Sequence, residues 1–161
     1  MQTRPVMMID EKLNSIGVKL SDPVQSVGSF IQVVITGNLA FVSGQLPIEP
    51  GSNPILVRHK GKVGRDISLE DGQAAARLCV INGLSELKHI LANLDNIKKI
   101  VKVSGYVNCD SSFTDHAKVI NGASDFLVEV FGEKGKHARV SVGASSLALD
   151  SSVEVDFIVE I

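Results

Sequence analysis

Hydrophobic positions along the chain switch between a helical and an alternating period, and these switches delimit the predicted elements. Residues 8 to 16, closed by Gly17, have the pattern of a short amphipathic helix. From residue 30 the pattern becomes β-rich, in the segments FIQVVIT and LAFVS, with a Gly37-Asn38 pair between them. That pair is typical of a two-residue hairpin turn, which predicts that the first two strands pair antiparallel.

Two long segments carry apolar residues at every third or fourth position, which predicts two helices with one buried stripe each. The first spans about 69 to 92, and Ser68 with Asp71 resembles a capping box at its start. The second spans about 114 to 131 and ends before Gly132. Both helices need a sheet face to cover their apolar stripes.

Three further segments alternate apolar and polar residues, which predicts half-buried strands. Two of them lie near the end of the chain, around 139 to 143 and over 153 to 161. A short edge strand is also possible near Val63. The remaining segment, 99 to 108, places four residues on one side: Val101, Val103, Gly105 and Val107.

The predicted order is β-β-(β)-α-β-α-β-β, which indicates an α+β fold with a mixed β-sheet and two long helices packed on one face. The other face displays Val, Phe and Ile together with charged residues, and this mixture is typical of a subunit interface. A length of 161 residues favours a single domain over residues 1 to 161.

Composition and charge narrow the range of partners. Sixteen Lys and Arg against 18 Asp and Glu give a net charge of -2, which provides no basic surface for nucleic acid. No apolar run exceeds four residues, so we expect no transmembrane helix and a cytoplasmic location. Cys79 and Cys109 show no paired spacing and are interpreted as reduced thiols.

Common catalytic and cofactor motifs are absent: the chain has no GxGxxG, P-loop, HExxH, CxxC or GxSxG sequence. The commonest cofactor-dependent and hydrolase classes are thereby excluded. The four histidines lack metal-ligand spacing, so each is expected to be a solvent-exposed or capping residue and no metal is predicted. They are His59, His89, His116 and His137.

Three local features have both a structural and a functional interpretation. Asn121-Gly122 interrupts the second long helix, which indicates either close helix–sheet packing through Gly122 or a functional Asn121. Arg139 and Glu154 are predicted on the non-core faces of the last two strands, as an exposed ion pair or as part of a carboxylate-binding site. Ser43-Gly44-Gln45 ends a strand, either as a plain exit or with its hydroxyl and N–H groups facing a ligand.

Four segments occur in an order that is characteristic of one family. They are FVSGQLPIEP (41 to 50), FTDHAKVINGASDFLVEVFG (113 to 132), KHARVSVG (136 to 143) and the terminal VEVDFIVEI. Together they resemble the RidA (YjgF-type) family of reactive enamine/imine deaminases, often labelled endoribonuclease L-PSP. The resemblance covers about residues 28 to 161 and leaves a short N-terminal helical extension. It implies a chorismate-mutase-like fold, assembled as a homotrimer with ligand clefts between subunits.

The resemblance also implies an activity, namely the hydrolysis of 2-aminoacrylate and related enamines or imines to 2-oxo acids and ammonia without a cofactor. The corresponding catalytic residues are Arg139, which would bind the substrate carboxylate, Glu154 and Ser43. Residues that would line the substrate-binding site in addition are Asn121, Phe30, Gly44 and Ser141.

Two of these positions depart from the family pattern. Phe30 stands where the family commonly has Tyr, and Ser141 stands where it has Cys. The missing phenol hydroxyl favours an alternative function, a non-catalytic trimer that binds small carboxylates such as 2-oxo acids. A ribonuclease is disfavoured by the net charge of -2 and by the absence of a paired-histidine pattern.

Overall fold

Three helices and five strands form the part of the chain that the computed structural model describes, residues 6 to 26 and 28 to 161. In chain order they are α1 (Ile9–Ser15), β1 (Val33–Thr36), β2 (Leu39–Gln45), α2 (Leu69–Leu91), β3 (Lys99–Asn108), α3 (His116–Phe131), β4 (Ala138–Ala144) and β5 (Val153–Glu160). The α+β class and the order of the main elements are those predicted from the sequence.

The five strands form one mixed sheet in the order β1-β2-β5-β3-β4. Only β3 and β4 are parallel, because α3 connects them as a crossover, and the other neighbours are antiparallel. The predicted hairpin is confirmed, since Thr36 pairs with Leu39 and Gly37 has a φ of 57° in the turn. That left-handed conformation favours glycine at this turn.

Both long helices lie on the same face of the sheet and bury most of the apolar residues there. The predicted N-cap of α2 is present, since Ser68 Oγ accepts a hydrogen bond of 3.0 Å from the backbone N–H of Asp71. At the other end of the chain, α1 inserts Leu13 into the core and is tied to α2 by an ion pair of 2.9 Å between Asp10 and Lys88. Among the described helices, none combines the length and apolar content needed to span a bilayer.

Local details differ from the predicted pattern in three strand regions. A β-bulge between Ile100 and Lys102 turns Ile100 into the core instead of Val101, which is only half-buried. The first strand starts at Val33 rather than at residue 30. Around Val63 the described backbone makes isolated bridges and no strand.

Gly122 permits close packing, but between the two helices rather than between helix and sheet as predicted. A Cβ atom at this position would lie 2.1 Å from the carbonyl oxygen of Gln73 on α2. The two helix backbones therefore meet at Gly122, and α2 and α3 make extensive contact.

The opposite sheet face is left uncovered by the described elements, as predicted. Cross-strand register places Val34, Phe41 and Ile158 side by side on this face. Val34 and Phe41 are 48% and 39% exposed, and Val140 and Val142 of β4 are 41% and 40% exposed. Apolar side chains exposed together in this way mark an interaction surface.

Candidate functional site

Arg139 lies on the helix-covered side of β4, which corrects the prediction that it occupies the non-core face. Its register partner is Val103, a core residue, and side chains that pair across two strands project to the same face. The guanidinium reaches α3, where Nη1 donates to Asn121 Oδ1 at 2.8 Å and to Ser124 Oγ at 3.1 Å. Nη2 donates to the carbonyl oxygen of Ala117 at 3.3 Å.

These contacts orient the guanidinium and leave part of it available. An arginine has five N–H groups, of which three are used by acceptors on α3. Within the described part of the chain, the Nε–H and one Nη2–H of Arg139 have no acceptor. A positioned guanidinium with two remaining donors is suited to bind a carboxylate.

His137 and Ser124 extend this arrangement, and neither was predicted as a site residue. His137 Nδ1 lies 2.6 Å from the carbonyl oxygen of Gly135, and His137 Nε2 lies 2.9 Å from Ser124 Oγ. Burial lowers the pKa of His137, which favours a neutral ring that donates from Nδ1 and accepts the Ser124 hydroxyl proton at Nε2. The Ser124 oxygen then remains free to accept from Arg139.

The arginine cluster is defined here as Arg139, Asn121, Ser124 and His137. Two spacings in the sequence could have indicated the two missed members. His137 is two residues before Arg139 and shares its strand face, and Ser124 is one helical turn after Asn121. His137 is therefore a half-buried structural partner, not the solvent or capping residue that we predicted.

Glu154 occupies the uncovered sheet face, opposite Tyr106 of β3. It packs against Gly44, where a Cβ atom would lie 2.1 Å from Glu154 Oε1, so the carboxyl group occupies the space that glycine leaves open. Burial and, to a lesser extent, the nearby Asp156 carboxylate raise the pKa of Glu154 above its ordinary value of 4.5. A carboxyl group of this kind can hold a proton closer to neutral pH than an exposed glutamate.

Ser43 and Gly44 lie in a β-bulge between Val42 and Gln45, which takes them out of the regular ladder to β5. The Ser43 hydroxyl donates to the carbonyl oxygen of Ile31 at 2.7 Å, so it fixes the segment before β1 and keeps its oxygen as an acceptor. Phe30, 47% exposed, lines the same 660 Å³ cavity as Gly44 and Glu154. We call Glu154, Gly44, Ser43 and Phe30 the glutamate cluster.

The predicted site residues thus fall into two groups on opposite faces of the sheet. Arg139 and Asn121 are in direct contact, and Glu154 lies near Gly44 and Phe30, but Arg139 forms no ion pair with Glu154 in the described chain. Ser141 shares the helix-covered side of β4 with Arg139, and its buried Oγ has no hydrogen-bond partner among the described residues. One chain does not bring the seven predicted residues together.

Among residues 6 to 26 and 28 to 161, no three His, Cys, Asp or Glu side chains are grouped so that they could hold a metal ion. Cys79 and Cys109 are free thiols, as expected. Cys109 Sγ lies 3.5 Å from His116 Nε2, and burial raises the pKa of this thiol, so it is not activated as a thiolate.

Replacing Glu154 by Gln should change how stability depends on pH. Because the folded protein raises the pKa of Glu154, its contribution to stability is fully present below pH 4.5 and is lost as pH rises through the folded pKa. Glutamine stays neutral throughout, so Glu154→Gln should gain stability relative to the parent protein with rising pH. Denaturant titrations at several pH values between 4 and 8 would measure this difference. The raised pKa of Glu154 would be contradicted if the difference in unfolding free energy between variant and parent did not change with pH. It would also be contradicted if the exposed control Glu11→Gln showed the same trend.

Known proteins resemble this chain both in sequence and in structure. Residues 10–161 match the family model described as YjgF/chorismate mutase-like, putative endoribonuclease. Protein TCP17 of Trypanosoma cruzi is 38% identical over 150 residues, covering 92% of this chain and 91% of that protein.

Two solved structures resemble the whole fold. A protein of unknown function from Agrobacterium tumefaciens is 39% identical with a TM-score of 0.85, covering 96% of this chain and 92% of the other. A protein from Shewanella oneidensis, described as a putative endoribonuclease, is 30% identical with a TM-score of 0.90, covering 96% of this chain and all of the other. These matches confirm the YjgF-type resemblance that the sequence motifs indicated.

Proposed function

Because this chain belongs to the YjgF/chorismate-mutase-like family, we propose that it hydrolyses reactive enamines and imines of the 2-aminoacrylate type to 2-oxo acids and ammonia. The observation that carries this proposal is the Arg139 guanidinium, which α3 orients through three hydrogen bonds while two N–H groups stay available. These substrates carry a carboxylate beside the reacting carbon. Binding that carboxylate would therefore fix the position of the reacting carbon.

The chemistry requires a proton and a water molecule but no nucleophilic side chain. Protonation of its terminal carbon converts an enamine to an iminium ion, which is a protonated imine. The raised pKa of Glu154 suits this carboxylic acid to donate that proton, and the carboxylate regains it when the water adduct releases ammonia. Water then adds to the electrophilic imine carbon, and the adduct loses ammonia to leave a carbonyl group. Imine and water are converted to 2-oxo acid and ammonia, so neither an oxidant nor a cofactor enters the balance.

Assembly with further copies would complete this site. Within one chain, the arginine cluster and the glutamate cluster lie on opposite faces of the sheet. The uncovered face carries exposed Phe41, Val140 and Val142 beside the glutamate cluster. We propose that this face packs in a homotrimer, with Arg139 of one copy opposite Glu154 of another.

A stable trimer should be detected by light scattering as a mass of about three times 17.2 kDa. Phe41→Asp should dissociate it, because the change places a charge in a surface that the trimer would bury. Ile90→Asp is the matched control, since Ile90 is 51% exposed on α2, away from this sheet face. A monomeric parent protein at micromolar concentration would contradict the proposed assembly.

Phe30 favours a second candidate, a non-catalytic trimer that binds small carboxylates. Phenylalanine cannot hydrogen-bond a substrate or its water, whereas the tyrosine common in the family can. This candidate uses the same Arg139 site and predicts ligand binding without turnover. The ribonuclease activity suggested by the family description lacks support from the charge of the chain, which is -2.

A coupled assay separates these functions. A dehydratase generates 2-aminoacrylate from serine, and the release of 2-oxo acid is followed with and without this protein. A faster release that Arg139→Ala abolishes would support hydrolysis. An unchanged rate, together with 2-oxo acid binding that depends on Arg139, would support the non-catalytic binder instead.

A further inference from the structure

The cavity beside Glu154 is much larger than a three-carbon substrate requires. Its volume is about 660 Å³, whereas a water molecule, similar in size to a methyl group, occupies ~30 Å³ in the liquid. Glu154 and Gly44 line it, and it extends from them along the segment after β2. Ligand cavities in proteins commonly measure ~300–1,000 Å³, so this one could enclose a complete small molecule.

The walls away from Glu154 are mainly apolar. They come from the segment before β1, from residues 46 to 55 after β2, and from the loop between β4 and β5. The apolar residues that line them are Val24, Phe30, Leu46, Ile48, Pro54, Ile55, Ala148 and Leu149. A ligand in this chamber would thus meet a carboxyl group at one end and a mainly hydrocarbon surface along the rest, interrupted by the amide groups of Gln25, Gln32, Gln45 and Asn82.

Two amide groups in the chamber wall, those of Asn82 and Gln45, use their donors to hold the wall in place. Asn82 of α2 is buried, and its Nδ2 donates to the carbonyl oxygens of Leu46 and Ile48 at 3.0 Å each. Gln45 Nε2 donates to Gln32 Oε1 at 2.9 Å and to Ser43 O at 3.0 Å. These two amides fix the shape of the chamber and have no donor left for a ligand, whereas the side chains of Gln25 and Gln32 also line it.

Leu149 is held at the chamber in an uncommon backbone conformation. It is 58% exposed, and its φ of 57° lies in the left-handed region that a leucine rarely adopts. The loop around it is anchored by a 2.8 Å hydrogen bond from Gly61 N–H to Asp150 O and by Lys62 Nζ, which donates to Ser145 O. The anchored loop thus places an apolar side chain in the chamber wall.

From this arrangement we infer the substrate class: a 2-imino acid or enamine whose side chain is branched aliphatic or aromatic and lies in the apolar chamber. The inference rests on the proposed hydrolytic function and adds selectivity to it. The reacting carbon lies next to Glu154, and the side chain extends toward Ile48 and Ile55. Each additional buried methylene improves transition-state binding, so kcat/KM should rise with side-chain size until the chamber is filled.

Substrates of graded size test the inference. An amino-acid oxidase releases the imines of alanine, leucine and phenylalanine, and semicarbazide trapping measures the imine that this protein has not hydrolysed. We expect kcat/KM for the leucine- or phenylalanine-derived imine to exceed that for the alanine-derived imine at least tenfold. Ile55→Asp should remove most of this difference in kcat/KM between large and small imines, because it places a carboxylate in the chamber wall.

Leu56→Asp provides the matched control, since Leu56 is 49% exposed, adjoins Ile55 and does not line the chamber. Leu56→Asp should keep the ratio of kcat/KM between large and small imines that the parent protein shows. If the alanine-derived imine is hydrolysed as fast as the larger ones, or if both variants lose the ratio equally, the chamber does not select the side chain. The proposed hydrolysis would stand in that case.

Binding measurements keep the two proposals distinguishable if no imine is hydrolysed. Calorimetry with pyruvate and with 4-methyl-2-oxopentanoate then compares a methyl with an isobutyl side chain at the same site. Tighter binding of the larger oxo acid, lost in Ile55→Asp and kept in Leu56→Asp, would support the chamber and reject hydrolysis. Equal binding of the two oxo acids would overturn the chamber as well.

Discussion

Arg139→Lys should lower 2-oxo acid affinity or imine turnover roughly ten- to a hundredfold, a loss on the order of 1.5–3 kcal/mol. Lysine keeps the charge but replaces the planar group with a single ammonium that has three donors. Arg139 uses three N–H groups on Asn121, Ser124 and Ala117 O and has two left for a ligand. An ammonium cannot satisfy both sets of acceptors, so ligand binding would be weakened.

The control for this experiment is Arg65→Lys. Arg65 is exposed and forms ion pairs with Asp66 and Asp110. Ion pairs that are this exposed to solvent contribute little, and Arg65 is not among the predicted site residues, so binding and turnover should be unchanged in this variant. Calorimetry with a 2-oxo acid and the coupled enamine assay measure both variants. If Arg139→Lys binds and turns over like the parent protein, Arg139 does not bind the carboxylate.

Gly122→Ala should destabilise the fold by up to about 2 kcal/mol, although local preference predicts the opposite sign. Alanine is better than glycine inside a helix by ~1 kcal/mol. However, the added Cβ atom would lie 2.1 Å from Gln73 O, while non-bonded heavy atoms are most stable at ~3.5–4.0 Å. Separating α2 from α3 disrupts their packing, and overpacking of this kind costs ~1–3 kcal/mol or more.

Chemical denaturation of Gly122→Ala and Gly72→Ala tests this expectation. Gly72 is also helical, but a Cβ there would meet only side-chain methyl groups of Val119 and Val63, at 3.2 Å. Such groups can shift, so Gly72→Ala should stay within about 1 kcal/mol of the parent protein. A stabilised Gly122→Ala would show that the helices can separate without loss. Weaker ligand binding is also expected in Gly122→Ala, because Asn121 would move with α3.

The positions of the helices and strands could be predicted from the sequence because they depend on local periodicity. The apolar stripe, Ser68 at the start and the extent of α2 agree with the prediction, and so do the limits of β3. The Gly37-Asn38 turn could be predicted because it depends only on the residues that join two neighbouring strands. The four family motifs implied Arg139 and Asn121 as site residues, and the structure shows them in contact.

The faces of β4 could not be predicted in the same way, whereas the core face of β5 agrees with the prediction. Val140 and Val142 look like core residues, yet they lie on the uncovered sheet face, and Arg139 points to α3. Periodicity shows that two faces differ but does not show which one the helices cover. The parallel register of β4 with β3 and the crossover through α3 decide that question.

The sequence by itself determined the element types, their order and the family motifs, since each depends on residues close together in the chain. Only the tertiary structure decided that the arginine cluster and the glutamate cluster lie on opposite sheet faces. It also decided that the two long helices meet at Gly122 and that an apolar chamber adjoins Glu154. These features depend on strand register and helix spacing, which arise from contacts between residues that are distant in sequence.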